Sequence, residues 1–183
     1  MKIYIEFWID LFNFESYEIN NILLEIYDES RNEIEIKYRS YFDSEKNQIN
    51  DEMNRIKLNC YKVMQLAKEN SFEVLFVKNL IQEIKFNEKK FLNIDELIKV
   101  GVTSGMSKNS IMETINSNNF VEIIKNNFEN ALFKKIYEAP HIRINGYKIK
   151  KNISKSGLIK EITRIREETK KNETCIDGSC NIQ

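Results

Sequence analysis

The chain has 183 residues and carries 28 basic and 28 acidic side chains, so its formal net charge is zero. Its lysines are scattered among glutamates and aspartates, whereas a surface that binds nucleic acid or an anionic membrane needs clustered Lys and Arg. No apolar run approaches the ~20 residues of a transmembrane helix. We therefore expect neither a nucleic acid nor a membrane as partner, and the length suits one domain that carries an insertion.

The N-terminal residues and the cysteine content predict the compartment. Met1-Lys2 leads directly into an alternating segment over residues 3–7, without the small-residue cleavage site of a signal peptide. Three cysteines are too few for a disulfide framework in a chain of this length. We therefore expect a cytoplasmic protein.

The first part of the chain predicts a strand, a helix and a second strand. Residues 2–8 alternate between apolar and polar types, as in a half-buried strand, and residues 33–42 do so again. Between them, apolar residues at helical spacing predict a helix over residues 14–27, with Asn13 as its N-cap. This order predicts a βαβ unit with a right-handed crossover.

The middle of the chain predicts helices only. After a polar segment over residues 43–51, residues 52–115 carry three apolar stripes at helical spacing. We expect Gly101, Gly105 and Asn116 to separate these helices. The stripes comprise Ile56, Cys60, Val63, Met64 and Ala67; then Val74, Phe76, Val77, Leu80, Ile81 and Ile84; then Leu97, Ile98 and Val102.

The last third predicts a helix, a hairpin and a helix. Residues 118–137 predict a long helix with Phe120, Ile124, Phe128, Ala131 and Leu132 on one face. Asn145-Gly146 between alternating residues predicts a tight hairpin. A helix over residues 155–170 follows, and we expect the polar tail after it to be mobile.

The whole order predicts an α/β protein with the thioredoxin fold and an all-helical insertion between its βαβ unit and its α-ββ-α unit. The predicted thioredoxin-like domain comprises residues 1–50 and 118–170. The helical insertion is 51–117, and the tail is 171–183.

The segment between the first strand and the first helix carries the most informative motif. Trp8, Asp10 and Tyr17 match the pattern Trp-x-Asp-x-x-Cys-x-x-Cys-Tyr, so the chain resembles the DsbA family of the FrnE type. The two cysteine positions of that pattern are Asn13 and Ser16 here. Neither side chain forms a thiolate, so thiol–disulfide exchange at this site is chemically excluded. The resemblance covers nearly the whole chain, with further anchors at Tyr38-Arg39, Asn59, Pro140 and Asn145-Gly146.

The only proline of the chain has two interpretations. Pro140 follows the predicted long helix, and a proline there can simply end a helix. Alternatively, the order of Ala139-Pro140, strand and Asn-Gly hairpin resembles the cis-proline loop of thioredoxin folds. The resemblance then implies that the backbone of Ala139 pairs with an extended substrate, with Pro140, Phe14 and Tyr17 as further substrate-binding residues.

The C-terminal tail holds two of the three cysteines. Cys175 and Cys180 flank an Asp-Gly turn, so they can close a small disulfide, bind a metal with further ligands, or be incidental residues of a frayed tail. A zinc site normally needs four Cys or His ligands, and the chain has one histidine, so we expect no metal site. Some FrnE-type proteins carry a Cys-x4-Cys pair near the C-terminus, which implies a redox role for Cys175 and Cys180.

Two further residues have a functional and a packing interpretation. His141 is either a base facing the Asn13–Ser16 region or a strand-edge residue that fills packing space, and the second is favoured. Cys60 belongs to an apolar stripe, which favours a buried structural thiol over a reactive one.

The resemblance implies three candidate functions. The first is that of a thiol–disulfide oxidoreductase-like protein with a degenerate site, which acts on a thiol-containing protein or peptide through Cys175 and Cys180. The second comes from the related 2-hydroxychromene-2-carboxylate isomerases and kappa-class glutathione transferases, and implies glutathione as ligand at Asn13. Kappa-class enzymes are often dimers, which adds a homodimer to the expected partners. The third is a non-catalytic peptide-binding adaptor or holdase.

Overall fold

The computed structural model describes residues 2–43, 52–86 and 93–176, with only the backbone described for residues 86 and 171–176. Within these ranges the predicted α/β fold class and its order of elements are confirmed. The elements are β1 (Ile3–Ile9), α1 (Phe14–Glu29), β2 (Ile34–Ser40), α2 (Glu52–Glu69), α3 (Glu73–Phe86), α4 (Ile94–Thr103), α5 (Lys108–Asn116), α6 (Val121–Phe133), β3 (His141–Ile144), β4 (Tyr147–Lys148) and α7 (Lys155–Ile176).

The four described strands form one mixed sheet in the order β2-β1-β3-β4. β1 and β2 are parallel and are joined through α1, which is the predicted βαβ unit. β3 runs antiparallel to β1, and β4 pairs with β3 across the predicted hairpin. Asn145 and Gly146 both have positive φ, at 47° and 86°, as the tight turn between such strands requires.

Side chains on β1 alternate between the two faces of the sheet. Ile3, Ile5 and Phe7 belong to the main hydrophobic core, together with residues of α1, the insertion and α7. Trp8 points to the opposite face, where it is fully buried in a smaller cluster with Ala131 and Ile136. This second face is buried only at Trp8, since Tyr4 is 43% exposed and Glu6 is half-buried, so the strand shows the alternation of a half-buried strand.

Helix α2 forms the centre of the helical insertion. Every residue from Leu58 to Ala67 is buried, because α3, α4, α5 and α6 all pack around this helix. The buried residues of the insertion therefore form one continuous hydrophobic core with those beneath the sheet.

A lysine side chain is buried inside this interior. The Lys62 ammonium donates to the carbonyl oxygens of Ile115 (2.8 Å) and Ser117 (2.5 Å), at the C-terminal end of α5. A cation there complements the negative end of the helix, and the two carbonyls replace part of its hydration. Burial lowers the pKa of Lys62.

Four expectations about helix boundaries and faces were wrong. Gly101 does not separate two helices; it lies inside α4, where a Cβ atom would be 2.5 Å from Cδ1 of Ile111. The glycine therefore allows α4 and α5 to approach closely. Val102, which we placed on the apolar stripe, is 47% exposed. Helix α6 is shorter than predicted because Phe120 has a left-handed φ of 68°, and Leu132 on it is exposed.

Helix α7 runs to Ile176, beyond the predicted end at residue 170. The mobile tail predicted for 171–183 is thus helical over its first part, and residues 177–183 lie outside the described ranges.

The buried carboxyl group of Glu73 generates a prediction about stability. Burial raises its pKa from 4.5 to about 7, against the smaller opposing effect of Lys68. The folded state thus holds a proton that the unfolded state releases between pH 4.5 and about 7, so this group lowers stability as the pH rises through that window. We expect Glu73→Gln to raise the free energy of unfolding by about 3 kcal/mol at alkaline pH and to change it little in acid.

The measurement is urea denaturation of both proteins across this pH range. Glu69→Gln is the matched control, since Glu69 is exposed at the end of α2. An equal effect of Glu73→Gln at both ends of the range would show that the carboxyl group has the same pKa in the folded and unfolded states, against this prediction.

Candidate functional site

The β1–α1 junction, residues 9–13, is held by two tyrosine hydroxyls from other parts of the chain. The Leu11 N–H donates to the Tyr61 hydroxyl oxygen (3.0 Å), and this hydroxyl donates to the Ile9 carbonyl (3.3 Å). The Tyr17 hydroxyl donates to the Leu11 carbonyl (2.9 Å). Leu11 and both tyrosines are buried, so these bonds fix where α1 begins.

Asn13 is the N-cap of α1, as predicted. Its backbone is extended, with φ −107° and ψ 126°, and its side-chain oxygen accepts from the Glu15 N–H (2.8 Å). Its amide nitrogen donates to the carbonyl oxygen of Ala139 (3.4 Å), on a segment far away in sequence. One side chain therefore both caps the helix and connects it to the loop before β3.

Ser16 lies one turn into α1 and is fully buried. Its hydroxyl has no hydrogen-bond partner among the described residues. A serine in this environment has no adjacent base to activate it and no access for a substrate, so it offers no nucleophile. The two positions that correspond to cysteines in the motif are thus a half-exposed amide and a buried hydroxyl.

The loop before β3 contains a cis peptide bond between Ala139 and Pro140. Both residues are buried. Within the described part of the chain, the Ala139 carbonyl accepts from Asn13, and the Ala139 N–H has no hydrogen-bond partner. One backbone donor beside the start of α1 is therefore unpartnered within the described chain, on a residue that is itself only 9% exposed.

A groove of about 420 Å³ opens next to this loop. Isoleucines and Pro140 form the apolar part of its lining, which we call its floor, and four lysines also belong to the lining. We refer to this set as the cis-proline groove, lined by Ile19, Lys135, Ile136, Tyr137, Glu138, Pro140, His141, Ile142, Lys148, Ile149, Lys150, Lys151 and Asn152.

Lys151 links the helix start to the cis-proline loop. Its ammonium lies 3.0 Å from a Glu138 carboxylate oxygen and 3.3 Å from one of Glu15. The two carboxylates raise the pKa of Lys151. These groups are exposed, so the pairing contributes little to stability, but it fixes the charges at one end of the groove.

His141 lines the groove and packs against the tryptophan of the motif. Its ring meets Trp8 edge-on at a centroid distance of 5.9 Å, and the two residues are paired across β1 and β3. Burial, with smaller contributions from Lys148 and Arg143, lowers the pKa of His141 from 6.5 to about 4. The neutral ring fills packing space, which agrees with the favoured interpretation of this residue.

The remaining predicted substrate-binding residues differ in exposure. Phe14 is 64% exposed at the first position of α1, next to the ammonium of Lys85 (5.8 Å from the ring centroid). Tyr17 is buried, and its hydroxyl is used inside the protein by Leu11. Phe14 is therefore available to a ligand, whereas Tyr17 has a structural role.

Of the three cysteines, only Cys60 has a described side chain. Cys60 is a free thiol, fully buried in α2, and burial raises its pKa well above the usual range, as expected of a structural thiol. Cys175 belongs to the last turn of α7, with only its backbone described, and Cys180 lies outside the described residues.

Two residues important to the site were missed at the level of sequence. Tyr61 lies in the middle of an apolar helix, and Lys151 follows a predicted strand, so neither position carries a local signal for its role. Only the fold brings the Tyr61 hydroxyl to residues 9 and 11, and Lys151 to Glu15.

Metal-binding clusters and membrane-spanning helices are both absent from the described ranges. No group of three or more His, Cys, Asp or Glu side chains there is arranged to hold a metal ion. No helix in these ranges is both long and apolar enough to cross a bilayer.

Solved structures share this architecture. A probable DsbA oxidoreductase, SCO1869 from Streptomyces coelicolor, superposes with a TM-score of 0.73 over 91% of each chain, at 11% identity. Oxidised BdbD from Bacillus subtilis gives 0.70 over 88% of this chain and 86% of its own, at 12% identity. DsbA from Pseudomonas aeruginosa gives 0.62 over 92% and 86%, also at 12% identity.

The chain has the DsbA-like thioredoxin fold with a helical insertion. At these identities the likeness concerns the fold alone. No protein-family model matches the chain, and no curated protein matches it.

The different surroundings of Asn13 and Ser16 generate a prediction. We expect Asn13→Ala to lower the free energy of unfolding by about 1 kcal/mol, because the helix cap and the bond to Ala139 are lost. Ser16→Ala removes a buried hydroxyl without a partner among the described residues, so we expect it to leave stability unchanged or slightly raised.

Urea denaturation of the two variants provides the measurement. Asn13→Ser serves as control, since a serine side chain also caps a helix but does not reach Ala139 as the amide does. Equal losses in Asn13→Ala and Ser16→Ala would contradict the assignment of the capping role to Asn13 alone.

Proposed function

We propose that this protein binds an extended polypeptide in the cis-proline groove and performs no thiol–disulfide exchange at the start of α1. Any thiol redox activity rests on the C-terminal pair, Cys175 and Cys180. In this proposal the site is a degenerate form of a DsbA-like active site, which retains the binding surface and lacks the nucleophile.

The arrangement around Ala139 is the observation that carries the proposal. The Asn13 side-chain amide, at the start of α1, donates to the carbonyl oxygen of Ala139. The N–H of Ala139 is unpartnered within the described chain. An extended peptide recognises such a free backbone group by strand-like hydrogen bonding, while pockets beside it receive alternate side chains. The apolar floor of the groove, with Pro140 and Ile149, supports this use.

The chemistry at residues 13 and 16 supports the absence of exchange. Disulfide exchange begins with the attack of a thiolate on a disulfide sulfur. An amide and a buried hydroxyl supply neither a thiolate nor a second sulfur to resolve a mixed disulfide. The N-terminus of α1, which would stabilise a thiolate, is instead satisfied by the Asn13 side chain.

Further parts of the proposal rest on the sequence. The FrnE-type resemblance, the cytoplasmic location and a homodimeric state stay as predictions from the residues and the resemblance. Glutathione is the alternative ligand, since the resemblance to kappa-class glutathione transferases implies that it binds at Asn13. The binding experiment below therefore includes S-methylglutathione as a competitor.

The first experiment tests polypeptide binding. The protein is titrated with a fluorescent, permanently unfolded polypeptide whose thiols are blocked with iodoacetamide, and anisotropy gives the Kd. We expect Tyr137→Ala to weaken binding by about tenfold, because Tyr137 lines the groove and is 72% exposed, so that its ring is free to contact a ligand.

Phe133→Ala is the matched control, since Phe133 is an aromatic residue on α6 that is 86% exposed, more than Tyr137, and does not line the groove. We expect this variant to bind like the wild type. Absence of polypeptide binding by the wild type would contradict the proposal. Binding of S-methylglutathione by a protein that binds no polypeptide would favour the glutathione alternative.

The second experiment tests thiol chemistry by measuring reduction of a protein disulfide in the presence of dithiothreitol. We expect any activity of the wild type to disappear in Cys175→Ser and to be unaffected by Asn13→Ser. The redox state of Cys175 and Cys180 is followed in parallel by thiol trapping and mass spectrometry across a glutathione series.

The double variant Asn13→Cys/Ser16→Cys is the positive control for the scaffold. A cysteine at the N-cap gains stabilisation of its thiolate from the helix N-terminus, so we expect this variant to acquire disulfide-reducing activity. Activity of the wild type that survives Cys175→Ser would show that another group performs the exchange.

A further inference from the structure

The lysines of the cis-proline groove point to a specific class of ligand. We propose that the groove selects acidic polypeptide segments in which carboxylate side chains alternate with apolar ones. This inference rests on the proposed function and adds the chemical class of the bound segment.

The lining of the groove has a strong excess of positive charge. Four lysines contribute to it, at positions 135, 148, 150 and 151, whereas Glu138 is its only carboxylate among the described residues. His141 adds no charge at neutral pH, since its ring is neutral there. The chain as a whole has no net charge, so this excess is a property of the groove and not of the composition.

One of the four lysines is already neutralised. Lys151 pairs with Glu138 and with Glu15, so the one carboxylate among the described lining residues already has an ion-pair partner within the protein. Lys135, Lys148 and Lys150 make no ion pair with another described residue. Three lysines of the lining therefore have no counter-charge among the described residues, and an anionic ligand supplies one.

The positions of these lysines fit an extended chain. Lys148 and Lys150 are two residues apart along the segment that leaves β4, while Lys135 follows α6 on another wall. An extended peptide repeats its side-chain direction every ~6.6 Å, so carboxylates on alternate residues match lysines placed in this way. The intervening side chains then face the isoleucines and Pro140 on the floor.

The shape of the groove favours a polypeptide over a nucleic acid. Its floor is aliphatic, and Tyr137 is the one largely exposed aromatic side chain among its described lining residues, whereas a nucleic-acid strand needs several aromatic stacking platforms and a continuous basic track. An unpartnered backbone N–H at Ala139 adds a bond that an extended peptide carbonyl accepts directly.

The test compares two cysteine-free fluorescent peptides of roughly nine residues, which span about 30 Å when extended. One alternates glutamate with valine, and the other replaces each glutamate by glutamine. We expect the wild type to bind the acidic peptide about tenfold more tightly at low salt, and this preference to shrink as salt screens the charges.

Two triple variants locate the preference. Lys135→Gln/Lys148→Gln/Lys150→Gln should lose most of it, with melting curves to verify folding, and Lys148→Gln alone should lose part. The matched control, Lys78→Gln/Lys108→Gln/Lys160→Gln, removes the same charge from exposed lysines outside the groove and should retain the full preference.

The outcomes separate this inference from the proposed function. Equal affinity of the wild type for both peptides would overturn the inference and leave polypeptide binding standing. Failure of either peptide to bind would overturn both. Loss of the preference in the control triple variant, or tighter binding of a short oligothymidylate than of the acidic peptide, would also overturn the inference.

Discussion

The hydroxyl of Tyr61 is the contact on which the geometry of the site depends. It accepts from the Leu11 N–H and donates to the Ile9 carbonyl, which also accepts from the Tyr41 N–H (3.0 Å) just beyond β2. An unsatisfied buried backbone group costs about 1–3 kcal/mol, so the hydroxyl stabilises the end of the strand by satisfying the Leu11 N–H. Because Tyr61 belongs to α2, the helical insertion participates directly in forming the site.

This support is independent of the residues at the helix start. Tyr61 and Tyr17 hold the β1–α1 junction from the side of the core, and neither contact involves Asn13 or Ser16. The conformation of the loop therefore does not depend on which side chains stand at positions 13 and 16. Asn13 satisfies the first turn of α1, which a thiol does poorly.

The fold could be predicted largely from local pattern, and the site only in part. Period-two alternation located β1 and β2, and Asn145-Gly146 located the hairpin, because these signals depend on neighbouring residues. The prediction that Gly101 separates two helices was wrong because the small size of this residue allows the contact with Ile111 and does not break the helix. The roles of Tyr61 and Lys151 could not be predicted, since each depends on partners about fifty or more residues away.

The charge of the groove, like the roles of Tyr61 and Lys151, depends on the fold and could not be predicted from the sequence. A balanced composition argues against a basic binding surface only if the balance also holds locally. Lys148, Lys150 and Lys151 are close in sequence, but Lys135, which follows α6, joins them only because the fold places it in the lining of the same groove. Glu138 lies in the same region and would cancel one charge, yet Lys151 already engages it. The field that a ligand meets is therefore determined by which ion pairs the fold completes, so recognition can be strongly charged in a protein whose net charge is zero.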